Sequence, residues 1–525
     1  MALVTMESGS LTVTGDDLKP VLEKTGITLT EPLLNDYSTL LTVFENAIDS
    51  LPDDRPVQPI PDLAKYPRKD IHIPEDTDMG GWATKNDLLK GRTVALKDNI
   101  ALAGVRCTYG TSMVDWTPEI DATVATRVMD AGAIITGKAA CENACMDGIS
   151  CTSCTGPVHN PYGEGYSAGG SSSGCARLVA TGSVDLALGG DQGGSIRLPA
   201  ASCGIVGLKP TWGLVPYTGI LSMDPTIDHT GPMTKTVRDC ALLLDVIAGP
   251  DGWDDRQAPP ELAGPPLDSV RDVDAVTQLP KNAMLAGVKI GILAEGFQVT
   301  GQDSEHAECV RAAIMKFTEL GATVTTVSVP KHTEAATAWL CLVPGSCSRG
   351  ALLGDAGGRK QLYLPDRSGL LGAKLTQAQF DALGPAGGYM YLAYNWAQER
   401  HGPKLHGRCM NLLKAASDAY DSALKEVDVL VTPTLPRPPI RFPGAGYGEG
   451  PLKWMASSVG LLANTCTFNA TGHPALSLPV GFTPALEDPT IKLPAGMQII
   501  GRKYRDADCL KVAAAWEKAF DWKTQ

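Results

Sequence analysis

Apolar positions at the start of the chain recur at helical intervals. Leu18 to Lys24 predicts one helix, and Leu34, Tyr37, Leu40, Leu41, Phe44 and Ile48 mark the buried face of another over Pro32 to Ser50. The run LPDDRPVQPIPDLAKYPRKD then reads as a linker, because proline and aspartate break both helical and strand periodicity. From Gly91 the pattern changes to short apolar runs alternating with helical ones. Thr93–Leu96 and Ala133–Thr136 predict strands on either side of a helix that Asp121 can cap and that buries Val124 and Val128. Segment 174–181 predicts a helix and Val184–Leu188 a strand. Val288–Leu293 and Ala322–Val329 predict strands around a helix at 305–319. Residues 330–425 carry longer helical patterns and little strand character, as an inserted subdomain over a site would. Val427–Val431 and Met497–Ile500 return to strands, and a helix near 506–520 closes the chain.

Strands alternating with helices predict an α/β sheet covered by helices on both faces. The units are an N-terminal helical arm (1–85), a core (86–329), an insertion (330–425) and the rest of the core (426–525). The arm fits an oligomerisation or capping role, a homodimer being the form that oligomerisation would take.

Composition narrows the class. The 525 residues are 43% hydrophobic and 20% charged, enough apolar material for a large globular core. Length alone points to about three domains. No short-period repeat appears, which excludes solenoids and propellers. The net charge of −13 repels phosphate backbones and anionic lipid, so neither nucleic acid nor a membrane is an expected partner. The first residues lack a basic segment followed by an apolar run, no stretch is long enough to span a bilayer, and DWKTQ is no targeting tripeptide. With 14 cysteines read as reduced thiols, the expected location is the cytoplasm. Cys141, Cys145, Cys151 and Cys154 are close enough in sequence to raise zinc. However, C-x₃-C is not a zinc knuckle, and structural sites separate their pairs by a longer spacer. Buried small side chains and pocket-lining thiols are the expectation, with no metal and no cofactor.

Two glycine- and serine-rich loops carry the candidate chemistry: GGSSSG at 169–174 and GGDQGGS at 189–195. Phosphate binding is disfavoured, because neither loop ends in Gly-Lys-Ser/Thr and G-x-G-x-x-G after a strand is absent. Gly170 to Gly174 satisfies the nucleophile-elbow pattern with Ser172 central, but the preceding NPYGEGYSA is turn-forming rather than a strand. The second loop does follow a strand, where α/β sheets hold their ligands. Its Gly193-Gly194-Ser195 segment lets backbone approach a substrate and offers N–H groups to an oxyanion, with Ser195 as nucleophile. A serine hydroxyl needs a base. His159 is the nearest histidine in sequence. Lys97, at the end of the strand in Val94-Ala95-Leu96-Lys97-Asp98-Asn99, is the other candidate if it is neutral; it reads equally well as a surface lysine.

Taken together, these segments resemble the amidase signature family. VALKDN is similar to its lysine segment, and GGSSSGCARLVATGSVDLALGGDQGGSIRLPA to its serine- and glycine-rich signature. CGIVGLKPTWGLVPYTG, DHTGPMTKTVRD, DVLVTPTLP, FNATGHPALSLPVGF and GMQIIG fit in order and spacing. The resemblance covers about residues 86–525 apart from parts of 330–425, and within the family is strongest to enantioselective amidases and fungal urethanases. It implies a large mixed central sheet and hydrolysis of a carboxamide or carbamate C–N bond through an acyl-enzyme. Ser195 is then the nucleophile, Ser171 a bridging serine after a cis peptide at Gly170, and Lys97 the base reached through Ser171. The amides of Gln192, Gly193, Gly194 and Ser195 become the oxyanion hole. Cys145, Met146 and Asp147 line the acyl pocket, and Asp191 with Arg197 is a structural ion pair, substrate recognition being the rival role for Arg197. Asp147 departs from the serine common there; if ionised it disfavours anionic acyl groups. The implied partner is a small amide or carbamate. Within the family the alternatives are a urethanase and the amidotransferase component that converts misacylated tRNA. An inactive binding scaffold is the alternative outside it, against which the intact Lys97, Ser171 and Ser195 argue.

Overall fold

The apolar runs form the centre of the computed structural model, which describes residues 12–50, 89, 91–103, 105–118, 120–258, 267–354, 374–444 and 450–525. The strands in chain order are β1 (Thr93–Lys97), β2 (Ile134–Ala139), β3 (His159–Asn160), β4 (Gly163–Ser167), β5 (Leu186–Asp191) and β6 (Val206–Lys209). They continue as β7 (His229–Thr234), β8 (Lys289–Leu293), β9 (Thr323–Val327), β10 (Val429–Pro433), β11 (Ala475–Pro484) and β12 (Lys492–Ile500). Ten of them make one sheet in the order β2-β1-β5-β7-β6-β11-β12-β10-β8-β9, with β3 and β4 as a separate hairpin. Pairing is parallel at the two ends of the sheet and antiparallel from β5 through β10. The fold is therefore a large mixed α/β sheet.

Successive side chains of a strand point to opposite faces, and both faces here are apolar. Val94, Leu96, Leu186 and Leu188 pack with residues of the Thr123–Asp130 and Val237–Ile247 helices. The alternate positions Ala95 and Ala187 pack with the Ser173–Thr181 and Arg197–Cys203 helices. The small side chains on this second face let those two short helices, which flank the serine-bearing loops, lie close to the sheet.

The sequence expectation for β1 stops at Leu96, whereas the strand runs on to Lys97. Five strands have no sequence expectation: β3, β4, β6, β7 and β11, β4 lying within the NPYGEGYSA run read as turn-forming. HTGPMT in β7 has the composition of a turn, yet it is paired on both edges. Gly231 fits there because a Cβ would lie 2.3 Å from Leu208 O.

The Gly15–Thr25 and Glu31–Asp49 helices pack with Lys331–Gly345, Gln377–Arg400 and Gly450–Ser457. The expected apolar face is consumed in this contact: Leu40, Leu41, Phe44 and Ile48 share one core with Trp339, Tyr389, Met390 and Trp396. Glu45 is buried among them, accepting from Trp396 Nε1 at 2.9 Å and Arg400 Nε at 3.0 Å. The linker expected after Ser50 and the boundary at residue 85 lie outside the described residues. Among the described residues no helix is long and apolar enough to cross a membrane.

Candidate active site

β1 ends on Lys97, whose side chain is fully buried. Its Nζ donates to Ser171 Oγ at 2.8 Å and to Gly190 O at 3.1 Å. The second contact follows from topology, since β5 runs parallel to β1 and brings Gly190 alongside. Ser171 follows a cis peptide bond from Gly170 and leads into the Ser173–Thr181 helix. Ser172, the centre of the elbow pattern, is occupied elsewhere. Its hydroxyl donates to Gly190 O at 3.1 Å and accepts from Gly190 N at 3.3 Å.

Ser195 stands between the β5 loop and the Arg197–Cys203 helix and lines a recess together with Gln192, Gly193 and Gly170. This is the carboxyl end of parallel strands, where open α/β sheets hold ligands. No histidine among the described residues lines the recess. His159 sits on the β3–β4 hairpin, its Nδ1 accepting from Gly165 N at 2.9 Å.

The 191–195 loop is held from all sides. Arg197 is buried, and its five N–H groups meet five acceptors: both Asp191 carboxylate oxygens at 3.0 and 2.9 Å, Thr465 O at 2.9 Å, Gln498 Oε1 at 2.7 Å and Asn469 Oδ1 at 2.6 Å. All five donors of Arg197 are thus engaged within the protein. Burial pushes the Asp191 carboxyl up, but the Arg197 charge and the hydrogen bonds outweigh it and hold it well below the usual carboxylate range. Gly194 requires a correction to the expected oxyanion set. Its N–H donates to Asp191 Oδ1 at 2.7 Å and so points away from any substrate. The amides of Gln192, Gly193 and Ser195 are the remaining candidates. The Gln192 side chain is anchored separately, Nε2 donating to Tyr217 Oη at 2.7 Å and Asp228 Oδ1 at 3.0 Å.

Cys145, Met146 and Asp147 all line the recess. Asp147 accepts from Trp454 Nε1 at 2.9 Å and Gly148 N at 2.7 Å, and burial pushes its carboxyl up. Burial also pushes the Cys145 thiol up, but a hydrogen bond with Cys141, the proximity of Lys97 and a bond with Ser171 bring it down to about 7. Behind them Glu142 is fully buried and bonded to Thr152 N and Oγ1. Burial, reinforced by the neighbouring Asp147, raises its carboxyl to about 8. Of the four cysteines close enough in sequence to raise zinc, Cys141 and Cys145 are buried, Cys151 is partly buried and Cys154 exposed. Among the described residues no such cluster has the makings of a metal site.

The rest of the lining had no sequence expectation. Trp339, Val343, Ala386 and Met390 come from the 330–425 segment, and Met223, Met455 and Leu461 from elsewhere in the chain. They make the recess predominantly apolar. A tryptophan or methionine at helical spacing reads as core, and here these residues are core on one side and recess wall on the other.

Comparison with known proteins places the chain in a family. A profile of the Amidase family matches residues 76–510. An enantioselective amidase of Rhodococcus rhodochrous is 40% identical over 439 residues, 81% of this chain and 79% of that protein. A glutamyl-tRNA(Gln) amidotransferase subunit of Natronomonas pharaonis is 34% identical, covering 82% of this chain and 96% of that protein. The crystal structure of a bacterial aryl acylamidase of the amidase signature family aligns with a TM-score of 0.64 at 27% identity, over 83% of each chain. Fold and relatives define an enzyme that acts on amide bonds. The chain belongs to the amidase family, the amidase signature enzymes.

Proposed function

We propose that this chain is a serine amidase that hydrolyses small, uncharged, largely apolar carboxamides through an acyl-enzyme on Ser195. The observation that carries the reading is the buried 2.8 Å hydrogen bond from Lys97 Nζ to Ser171 Oγ, directly behind the recess that Ser195 lines. Ser195 Oγ attacks the carbonyl carbon while its proton passes to Ser171, whose own proton passes to Lys97. The carbonyl oxygen, now an oxyanion, is stabilised by the amides of Gln192, Gly193 and Ser195. Collapse breaks the C–N bond, the leaving nitrogen takes the proton back along the relay, and water repeats the sequence to release the acid. The apolar lining suits an alkyl or aryl acyl group, and the acid at Asp147 opposes an anionic one.

Ethyl carbamate presents the same carbonyl, so urethanase activity is a variant of this chemistry. The amidotransferase role belongs to a chain that works with partner subunits. Two measurements on the purified chain test the reading. A fluorophosphonate is expected to label Ser195, located by peptide mass spectrometry, and a panel of short amide, anilide, ethyl carbamate and dicarboxylic monoamide is expected to favour the uncharged amides. Labelling at another residue sinks the Ser195 assignment. An isolated chain inert on every simple amide sinks free-standing hydrolysis in favour of the amidotransferase role.

The packing of the first two helices within their own chain supports the capping role for the arm. A homodimer is the competing proposal, and light scattering at micromolar concentration decides it. The 14 unpaired cysteines support a reducing, cytoplasmic location, which cell fractionation tests.

A further inference from the structure

A trans peptide carries its C=O and the following N–H on opposite edges of one plane. Whatever holds the carbonyl of one residue therefore aims the amide of the next. In the 191–195 loop each carbonyl has a holder. Asp191 O accepts from Asn469 Nδ2 at 2.8 Å and Gly193 O from Thr465 Oγ1 at 2.7 Å. Gly194 O accepts from Leu198 N at 2.7 Å and Ser195 O from Ser172 N at 3.2 Å. These four holders belong to the core. The fifth does not: Gln192 O accepts from Trp339 Nε1 at 3.0 Å, and Trp339 sits on the Lys331–Gly345 helix, in the 330–425 segment. An indole N–H donates and cannot accept, so the contact has one polarity. The ring also fills the space beside the next residue. A Cβ on Gly193 would lie 2.5 Å from Trp339 Cζ2, and the three nearest atoms all belong to this ring. Trp339 is 3% exposed and lines the recess.

We propose that Trp339 is a positioning residue for the reaction. By fixing the Gln192 carbonyl and walling off Gly193, it aims the Gly193 amide at the oxyanion and ties the insertion to transition-state alignment. The inference rests on the oxyanion role proposed above for Gly193. An oxyanion exists only in the transition state, so misaiming its donor lowers kcat and leaves KM nearly unchanged. Loss of one oxyanion donor costs about 10²–10³ in kcat. Trp339→Phe keeps an aromatic ring, though a smaller one, and removes the N–H, so the amide stays but is no longer held, and the smaller loss of about tenfold is expected.

The test is a double-mutant cycle with Gly193→Ala and Trp339→Ala, with Trp339→Phe beside it, measured as kcat and KM on one good amide. Gly193→Ala alone is expected to lose about 100-fold through collision with the ring, and the double variant to recover at least about tenfold of that. Trp339→Phe with kcat within about twofold of the parent, or an additive cycle, overturns the inference. Should Trp339→Ala fail to fold, the Trp339→Phe kcat-against-KM split decides alone. Fluorophosphonate labelling of the parent enzyme separates the two failures: a miss at Ser195 condemns the nucleophile assignment, whereas additivity with Ser195 labelled condemns only Trp339.

Discussion

Replacing Arg197 by methionine, which keeps an extended side chain and deletes every donor, is the sharpest perturbation of the serine loop. Removing one partner of a buried ion pair costs about 3–5 kcal/mol, because the other charge is left in a low-dielectric interior. Asp191 would keep donors from Gly194 N at 2.7 Å, Ile196 N at 3.0 Å and Asn469 Nδ2 at 2.7 Å, but no hydrogen-bonded cation. With an unfolding entropy of about 2 cal/mol/K per residue, 525 residues lose about 1 °C per kcal/mol, so the thermal midpoint should fall by about 3–5 °C. The pH dependence carries a sign. In the parent, Asp191 has a folded pKa below its unfolded value of about 3.9, so its contribution is present above that value and is lost only as pH falls beneath it. Without Arg197, burial is the dominant influence and raises the carboxyl, so the variant loses stability as pH rises above about 4. Differential scanning fluorimetry of both proteins at pH 5 and pH 8 reads this directly. The deficit should be smaller at pH 5. A deficit under about 1 °C, or one that grows on acidification, refutes the brace.

Three serine-loop variants separate relay from scaffold. Ser171→Ala and Lys97→Met should each lower kcat by at least about 10³, and the double variant little further, because the two act as one unit. Ser172→Ala should stay within about tenfold in kcat and lose about 1 kcal/mol of stability, since its hydroxyl only closes a bond to the β5 backbone. Steady-state kinetics and urea midpoints check both, and a Ser172→Ala enzyme as dead as Ser171→Ala removes the assignment. Glu142 has a folded pKa raised to about 8, so its contribution is present below its unfolded value near 4.3 and drains away as pH rises towards 8. Glu142→Gln, which can still accept from Thr152 N, should abolish that slope and gain stability on the parent between pH 6 and 8.5. Parallel midpoints of parent and variant over that range exclude the shift.

The parts of the fold legible in the sequence are those where one interaction dominates. Val94, Leu96, Leu186 and Leu188 read as strand because burial on the sheet dictates apolar residues at those positions. β7 was illegible because its glycine and proline answer to close packing against β6 rather than to intrinsic strand preference. Lys97 shows the same limit at the site. A lysine ending an apolar strand is equally a surface lysine, and only the pairing of β1 with β5 puts Gly190 beside it and leaves it no route to water. Ser171 and Ser172 are neighbours of identical chemistry. What separates them is which hydroxyl meets Lys97 Nζ and which meets Gly190, a matter of side-chain direction that no composition rule carries. Gly194 errs the other way. Its glycine identity reads as an amide free for substrate, yet Asp191 three residues earlier has claimed it.

The recess was the least legible part, and the reason bears on how the site works. Its walls combine Cys145 and Asp147 from one loop, Trp339 and Met390 from two helices of the insertion, and Met455 and Leu461 from the segment before β11. No local pattern links positions so far apart, and each apolar one satisfies a core periodicity. The same separation gives the architecture its division of labour. Asn469, Thr465, Leu198 and Ser172 hold four of the five carbonyls in the loop from within the core, so the setting of Ser195 rests largely on the core. Among the described residues of the 330–425 segment, Trp339 alone both bonds a loop carbonyl and lines the recess. On the positioning role proposed for Trp339, a change that moves this indole to admit a different acyl group also moves the Gly193 amide, which would couple substrate range to turnover at that position.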